Sequence, residues 1–141
     1  MINPKDVNNL NKVSKESNLN ISTLAYSIEN KDDYINEHIV KVITKNKISN
    51  KSAIKALNFS RIIKENSYSY IYQHLGIYSY KFSALKQFVN LEKSKNEIGK
   101  KLEQLRAIDN RMTIDVLLAN NFSRGIDTKK DLDEYIKILN K

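Results

Sequence analysis

The stretch that decides the predicted fold is residues 69–87, which read SYIYQHLGIYSYKFSALKQ. Gly76 stands at its centre between Leu75 and Ile77, and Phe82 follows at the spacing of a second helix. A helix-turn-helix needs a short helix, a sharp turn that glycine accommodates through a positive φ, and a second helix held by apolar contacts. The pattern therefore predicts a helix-turn-helix whose turn is Gly76.

Composition favours a helical protein around this motif. The chain has 141 residues, of which 40% are hydrophobic and 28% charged, which fits one globular domain or one domain with an extra helical subdomain. It contains one proline and three glycines, so residues that break helices are scarce. The predicted fold class is all-α, a multi-helix domain with a helix-turn-helix. We expect an N-terminal helical subdomain over residues 1–50 and the DNA-binding domain over residues 51–141.

Apolar residues recur at helical spacing along most of the chain. Ser52, Thr113 and the pair Thr128 and Asp131 are plausible helix caps. Besides the motif, helices are predicted around residues 7–13, 21–28, 34–43, 53–63, 98–105, 116–122 and 132–139. Residues 39–44 are β-branched and fit a strand equally well.

Positive charge is concentrated in the middle of the sequence. Residues 41–101 carry thirteen Lys or Arg against three Glu, whereas residues 1–40 carry four Lys against six acidic residues. Clustered cations are what a nucleic-acid surface needs, because they neutralise phosphates. This charge, together with the motif, predicts binding to double-stranded DNA.

The second helix of the motif, together with the basic segment before the motif, would present two sets of side chains to DNA. The set expected to read bases is Tyr78, Ser79, Tyr80, Ser83, Ala84 and Gln87. The set expected to contact phosphates is Lys51, Lys55, Arg61, Lys64, Lys81 and Lys86.

The order of predicted elements resembles the central DNA-binding domain of ParB-type partition proteins, including the KorB and SopB branches. The similar stretch runs from residue 51 to residue 139, with a basic helix at 52–65, the motif at 69–89, and helices at 96–105, 113–122 and 128–139. The resemblance implies that Arg61 and Lys64 contact the DNA backbone and that residues 79–87 read the site. The arginine-rich nucleotide-binding motif of full-length ParB proteins is missing, so no CTP switch is implied.

Several classes of chemistry are not expected. The chain has no cysteine, and His38 and His74 have no acidic or thiol partners at metal-ligand spacing, so we expect neither metal nor cofactor. It has no phosphate-cradling glycine loop and no nucleophile elbow, so we expect no enzyme and no small-molecule substrate. No apolar run is long enough for a membrane span. The expected partners are double-stranded DNA and, in a homodimer, a second copy, in the cytoplasm.

The expected function is sequence-specific DNA binding, as a plasmid or phage partition-site binder or as a transcriptional repressor. A second candidate helix-turn-helix lies at residues 13–25, in acidic surroundings, and resembles that of Cro-like regulators. One alternative is an all-helical protein-interaction module, a phage-type inhibitor or scaffold, that docks on an acidic partner. Another is an oligomerisation module, because residues 75–118 are similar to the collar domain of clamp-loader δ subunits.

Overall fold

The computed structural model of the chain contains five strands and four α-helices in its described part, residues 2–63 and 70–120 with residues 129, 132, 133 and 136. The strands are β1 (Ile21–Ser27), β2 (Lys41–Thr44), β3 (Ile54–Ser60), β4 (Tyr70–Tyr80) and β5 (Ile114–Leu118). The helices are α1 (Pro4–Glu16), α2 (Phe82–Val89), α3 (Lys95–Lys100) and α4 (Gln104–Asp109), with a 3₁₀ turn at Lys31–Tyr34.

The strands close into a barrel in the order β1-β4-β2-β3-β5. β1 runs antiparallel to β4 and parallel to β5, and β2 lies antiparallel between β3 and β4. A short antiparallel pairing of β3 with β5 completes the circle. The barrel draws strands from both sides of residue 50, where the expected boundary between two domains falls.

Alternating side chains divide the sheet into two packed faces. Ile21, Val42, Phe59 and Val116 are fully buried in the main core, which also contains Ala84 and Phe88 of α2 and Leu105 of α4. On the other face, Leu24, Tyr26 and Leu117 pack with Leu10 and Val13 of α1. β1 is therefore buried on both sides.

The predicted helix at residues 7–13 is present as α1. The Asn3 side chain accepts a hydrogen bond from the backbone N–H of Lys5, and Pro4 occupies the first turn, where its missing N–H costs nothing. Leu10 and Val13 lie on the buried side of the helix. The helical spacing near residues 98–105 also corresponds to helices, α3 and α4.

The all-α prediction is wrong, because most of the other predicted helices are strands. Residues 21–28, 53–63 and 116–122 contain β1, β3 and part of β5, and residues 34–43 lead into β2. A strand buried on both faces shows a near-continuous apolar run, which helical periodicity can also match. The predicted capped helix at 128–139 lies largely outside the described residues.

The predicted helix-turn-helix is also absent, because Gly76 lies inside β4 rather than in a turn. No glycine among the described residues has a positive φ. β4 has an irregularity at this point: Leu24 pairs with Leu75 and Thr23 pairs with Tyr78, so Gly76 and Ile77 form a bulge between them. Only the second helix of the motif exists, as α2.

Among the described residues, no helix combines the length and apolar character needed to cross a membrane.

Candidate functional site

Five aromatic rings form a continuous row from the buried Phe59 of β3 to Phe88 of α2. Phe59 meets His74 edge to face, with ring centroids 5.1 Å apart. His74 lies 5.4 Å from Tyr78, Tyr78 lies 5.9 Å from Tyr80, and Tyr80 lies 6.0 Å from Phe88. Such tilted contacts stabilise aromatic pairs beyond their buried area. The row places two phenols and an imidazole side by side on β4.

His74 is a neutral hydrogen-bonding group in this row. Its Nε2 lies 3.0 Å from Oγ1 of the buried Thr23. That hydroxyl also lies within hydrogen-bonding distance of the carbonyl oxygens of Leu75 and Ile77, across the β4 bulge. Burial lowers the pKa of His74 from its ordinary value to about 4. The imidazole is therefore uncharged at neutral pH.

The two tyrosines stay protonated well into the alkaline range. Burial, followed by the neighbouring Tyr80 and the carboxylate of Glu103, raises the pKa of Tyr78. Burial and Glu103 also raise the pKa of Tyr80, against a smaller opposing effect of Arg106. Both hydroxyls therefore keep a proton to donate, and the carboxylate of Glu103 is close enough to influence them.

Arg106 of α4 fixes the acidic side of the site. Its Nε and Nη2 donate to the Glu97 carboxylate at 2.9 and 2.6 Å, and Nη2 also donates to Glu103 at 3.2 Å. The guanidinium lies 4.8 Å from the ring centroid of Phe88. Hydrogen bonds from Arg106 are the main cause that lowers the pKa of Glu97. Glu97 is thus an ionised, paired carboxylate.

Glu97 and Glu103 differ in how accessible their carboxylates are to a ligand. The Glu97 side chain is only 8% exposed, and it completes a capping box with Ser94 at the start of α3. The Glu103 side chain is 70% exposed and receives a single hydrogen bond from Arg106. Glu97 therefore holds Arg106, whereas Glu103 keeps acceptor capacity toward solvent.

An open groove of about 410 Å³ lies beside these acids. Its lining combines three cations, two carboxylates and two apolar side chains: Lys93, Lys101, Arg106, Glu97, Glu103, Ile98 and Leu102. This mixture suits a small polar ligand that carries both hydroxyl groups and negative charge.

A buried lysine and an arginine next to it are linked by hydrogen bonds to the groove residue Lys101. Lys41 is fully buried, and its ammonium group donates to the carbonyl oxygens of Asn36, Ile39 and Arg61. The Arg61 guanidinium donates to the carbonyls of Glu37 and Lys101. Burial lowers the pKa of Lys41 to about 8, partly offset by Asp33. Arg61 thus connects the segment before β2 to the groove residue Lys101.

The residues predicted to read DNA bases do not form one exposed helix face. Tyr78 and Tyr80 belong to the aromatic row, Ala84 is buried, and the other three are half-buried or exposed on β4 and α2: Ser79, Ser83 and Gln87. Their predicted role depended on a turn at Gly76 that the structure does not contain.

The residues predicted to contact phosphates are spread over separate elements. Lys51, Lys55, Lys81 and Lys86 are exposed, Arg61 supports the groove, and Lys64 lies outside the described residues. Lys81 donates to the Asn18 side chain at 3.0 Å. These cations therefore do not line a recognition helix.

Sequence reasoning missed Phe59, Phe88, Glu97, Glu103 and Arg106 and dismissed His74. One local signal was available, because Ser94 and Glu97 have the spacing of a capping box. The nine-residue separation of Glu97 and Arg106 matches no regular helical pairing. Their contact depends on how α3 and α4 pack.

Comparison with known proteins shows that the chain is similar in sequence to a group of enzymes. It is 40% identical over 144 residues to 3-deoxy-manno-octulosonate cytidylyltransferase of Thermodesulfovibrio yellowstonii, covering 99% of this chain and 56% of that protein. It is 36% identical over 138 residues to the enzyme of the same name from Bartonella quintana, covering 98% and 56%. The chain is similar to sugar-acid cytidylyltransferases along nearly its whole length. No profile of a known protein family matches it.

A solved structure agrees with these sequence relatives. The fold matches that of CMP:2-keto-3-deoxy-manno-octonic acid synthetase complexed with CTP, with a TM-score of 0.81 and 28% identity over 99% of this chain. The match spans 57% of the solved chain. The chain thus spans little more than half the length of the proteins it resembles.

These comparisons overturn the predicted identity and function. The resemblance to ParB-type proteins, the DNA partner and the DNA-binding function are wrong, because the similar proteins are cytidylyltransferases and share this mixed α/β fold. The interaction-module alternative has no support either. The expectations of no enzyme and no small-molecule substrate are contradicted, since the relatives are enzymes named for small-molecule chemistry.

Proposed function

We propose that this chain contributes the sugar-acid-binding part of a cytidylyltransferase that transfers CMP from CTP to 3-deoxy-manno-octulosonate or a closely related sugar acid. The observation that carries the proposal is identity of 32% to 40% to enzymes of that name over most of the chain. The whole activity needs groups from the part of those enzymes that this chain does not match. We also infer a cytoplasmic location, since that is where CTP is made.

The chemistry of the site fits a sugar acid. Such a molecule carries several hydroxyl groups, one carboxylate and a face of C–H bonds. The Tyr78 and Tyr80 hydroxyls, the neutral His74 and the exposed carboxylate of Glu103 can exchange hydrogen bonds with hydroxyl groups. The groove lysines Lys93 and Lys101 can pair with a carboxylate. Aromatic rings supply a surface for the apolar side of a sugar.

The reaction defines what this site must do. An oxygen of a sugar hydroxyl attacks the α-phosphorus of CTP, the bond from that phosphorus to the β-phosphate oxygen breaks, and pyrophosphate leaves. The attacking hydroxyl passes its proton to solvent water. The contribution of this chain is to hold the acceptor at a fixed distance and angle, which converts a bimolecular encounter into an oriented step.

A direct test measures binding of 3-deoxy-manno-octulosonate and of CTP to the chain by calorimetry. We expect the sugar acid to bind and Glu103→Gln to weaken it by about tenfold, because a charge-assisted hydrogen bond contributes about 1.5 kcal/mol. Asp109→Asn is the control, because Asp109 is an exposed carboxylate at the other end of α4 that accepts a hydrogen bond from the Asn96 side chain and does not line the groove. If CTP binds and the sugar acid does not, the assignment of this site to the acceptor is wrong.

Activity provides a second test. Pyrophosphate release from CTP should depend on the sugar acid when the chain is joined to the unmatched part of the Thermodesulfovibrio yellowstonii enzyme. Release that is absent from a correctly assembled protein would contradict the proposed function.

A further inference from the structure

The hydroxyl group of Thr23 meets three polar atoms of β4. Thr23 lies on β1 and is fully buried. Its Oγ1 lies 2.7 Å from the carbonyl oxygen of Ile77, 3.2 Å from that of Leu75 and 3.0 Å from Nε2 of His74. A hydroxyl has one proton to donate and two lone pairs that accept. Only one of the three neighbours can therefore receive the hydroxyl proton at a time.

The carbonyl oxygens determine the direction of these hydrogen bonds. A carbonyl oxygen has no proton, so its contact of 2.7 Å with Thr23 Oγ1 requires the hydroxyl proton between the two atoms. If the hydroxyl donated to His74 instead, its lone pairs would face two carbonyl oxygens with no proton between them. Thr23 therefore donates to the carbonyl of Ile77 and accepts from His74, which places the imidazole proton on Nε2.

The bulge in β4 brings both carbonyl groups to the same hydroxyl. It lies between two pairs of the β1–β4 ladder, Thr23 with Tyr78 and Leu24 with Leu75. In a regular strand, residues two positions apart are about 6.5 to 7 Å apart, too far for one hydroxyl to bond the carbonyls of both. Bulges commonly redirect polar groups next to functional sites. Here the bulge leaves Thr23 no choice but to accept from the imidazole.

The second nitrogen of the His74 ring is left as an acceptor. The ring is held by Phe59 on one side and Tyr78 on the other, and its backbone N–H donates to the carbonyl of Val40. Because burial lowers the pKa of His74 to about 4, the ring is neutral and carries one N–H and one lone pair. Within the described part of the chain, Nδ1 has no hydrogen-bond partner, and it is not among the buried atoms that lack one, so solvent reaches it.

We propose that Thr23 is a positioning residue that fixes His74 in the tautomer with its proton on Nε2, so that Nδ1 accepts a hydrogen bond from a hydroxyl group of the bound ligand. That this ligand is a sugar acid rests on the proposed function. The other tautomer would present an N–H at the same place, which suits an acceptor rather than a hydroxyl proton. Thr23 thus selects the polarity of the site from a fully buried position.

Nitrogen NMR of the labelled imidazole tests the tautomer without any ligand, because ring nitrogens with and without a proton resonate in separate regions. At neutral pH we expect the proton on Nε2 of His74. Thr23→Val removes the hydroxyl with little change in shape and should move part of the proton population to Nδ1, where water accepts the bond. Thr23→Ser keeps the hydroxyl and should keep the parent tautomer. The control is Thr44→Val, at a buried threonine of β2 whose hydroxyl donates to the carbonyl of Asn46.

Ligand binding provides a second measurement. Addition of 3-deoxy-manno-octulosonate should shift the Nδ1 resonance of His74 more than the Nε2 resonance. In calorimetry, Thr23→Val should weaken binding by about tenfold, the effect of losing one oriented hydrogen bond. Thr23→Ser and Thr44→Val should stay within about threefold of the parent chain.

Two results in the chain without ligand would overturn the proposal: a proton on Nδ1 of the parent, or an unchanged tautomer in folded Thr23→Val. If Thr23→Val does not fold, the parent still decides, because a ligand-induced shift confined to Nε2 contradicts the proposal. A proton on Nε2 that Thr23→Val displaces, without any binding of the sugar acid, supports the role of Thr23 in setting the tautomer and counts against the proposed function.

Discussion

Arg106 shows how one side chain can fix several elements at once. It lies on α4, donates two hydrogen bonds to Glu97 of α3, and lies over Phe88 of α2. Because the Glu97 side chain is almost completely buried, its charge depends on this partner for compensation. The pair therefore couples α3 and α4, whose residues line the groove, to α2.

Arg106→Met should remove this compensation while keeping much of the side-chain volume. We expect a loss of about 3 kcal/mol in the free energy of unfolding, because an unpaired carboxylate remains buried. Urea denaturation measures the change, with the exposed Lys86→Met as control. Equal midpoints for Arg106→Met and the parent would show that Glu97 is stabilised by other groups.

His74 should make stability depend on pH. Its folded pKa is about 4, below the unfolded value of about 6.5, so between these values the unfolded chain binds a proton that the folded chain does not. Stability should consequently fall as the pH drops from 6.5 to 4, by up to about 3 kcal/mol. His74→Gln should remove this part of the slope, whereas the exposed His38→Gln should leave it. Parallel slopes for the parent and His74→Gln would contradict an uncharged, buried imidazole.

At the scale of elements, the helices were predictable, whereas among the strands only β2 had a sequence signal, the β-branched residues 39–44. Asn3, Pro4, Leu10 and Val13 mark α1 by capping and by a single buried stripe, both of which are local signals. β1 has six consecutive buried residues, so it lacks the alternation that identifies a half-exposed strand. Its apolar residues therefore matched a helical pattern by accident.

The site was harder to predict than the fold, because its contacts join distant parts of the sequence. His74 has no charged neighbour at useful spacing, and its partners Thr23 and Phe59 come from other strands. Tyr78 and Tyr80 were singled out for a different function. Tyr78 and Tyr80 lie next to His74 because β4 is a strand, whereas Gly76 at its centre had been interpreted as a turn.

Gly76 provides a test of that conformation. Because its φ is not positive and an added Cβ would meet no atom within 4 Å, Gly76→Ala should be tolerated. We expect the free energy of unfolding to stay unchanged or to rise by up to about 1 kcal/mol, since alanine restricts the unfolded chain. A loss of more than about 1 kcal/mol in thermal or urea denaturation would indicate a turn that requires glycine.

Glycine substitutions at two adjacent positions at the end of α3 should change the free energy of unfolding in opposite directions. Lys101 ends the helix with a φ of 53°, a conformation that glycine adopts more easily than lysine. Lys101→Gly should stabilise the protein by about 0.5 kcal/mol, whereas Lys100→Gly, inside the helix, should destabilise it by about 1 kcal/mol. Denaturation midpoints that shift in the same direction would contradict this helix boundary.

At the scale of the whole molecule, the barrel depends on pairing between two strands that are far apart in the sequence, β1 and β5. Ile21 of β1 pairs with Ile114 of β5, and the intervening chain supplies the other three strands. Pairing that spans so much sequence is slow to form, because loop-closure entropy precedes the stabilising contacts. We expect refolding on a timescale of about milliseconds to seconds in stopped-flow fluorescence of the tyrosines. Refolding that is complete within about ten microseconds would show that local contacts dominate.

The parallel pairing of β1 with β5 also has a consequence during protein synthesis. β1 is translated before the other four described strands, but its partner β5 is translated after them. Before β5 is translated, the side chains of Leu24 and Tyr26 lack Leu117, the β5 residue that packs with them in the folded protein. A nascent chain that pauses before residue 114 would expose an unpaired apolar strand, and its yield would depend on chaperones that hold such strands until translation ends.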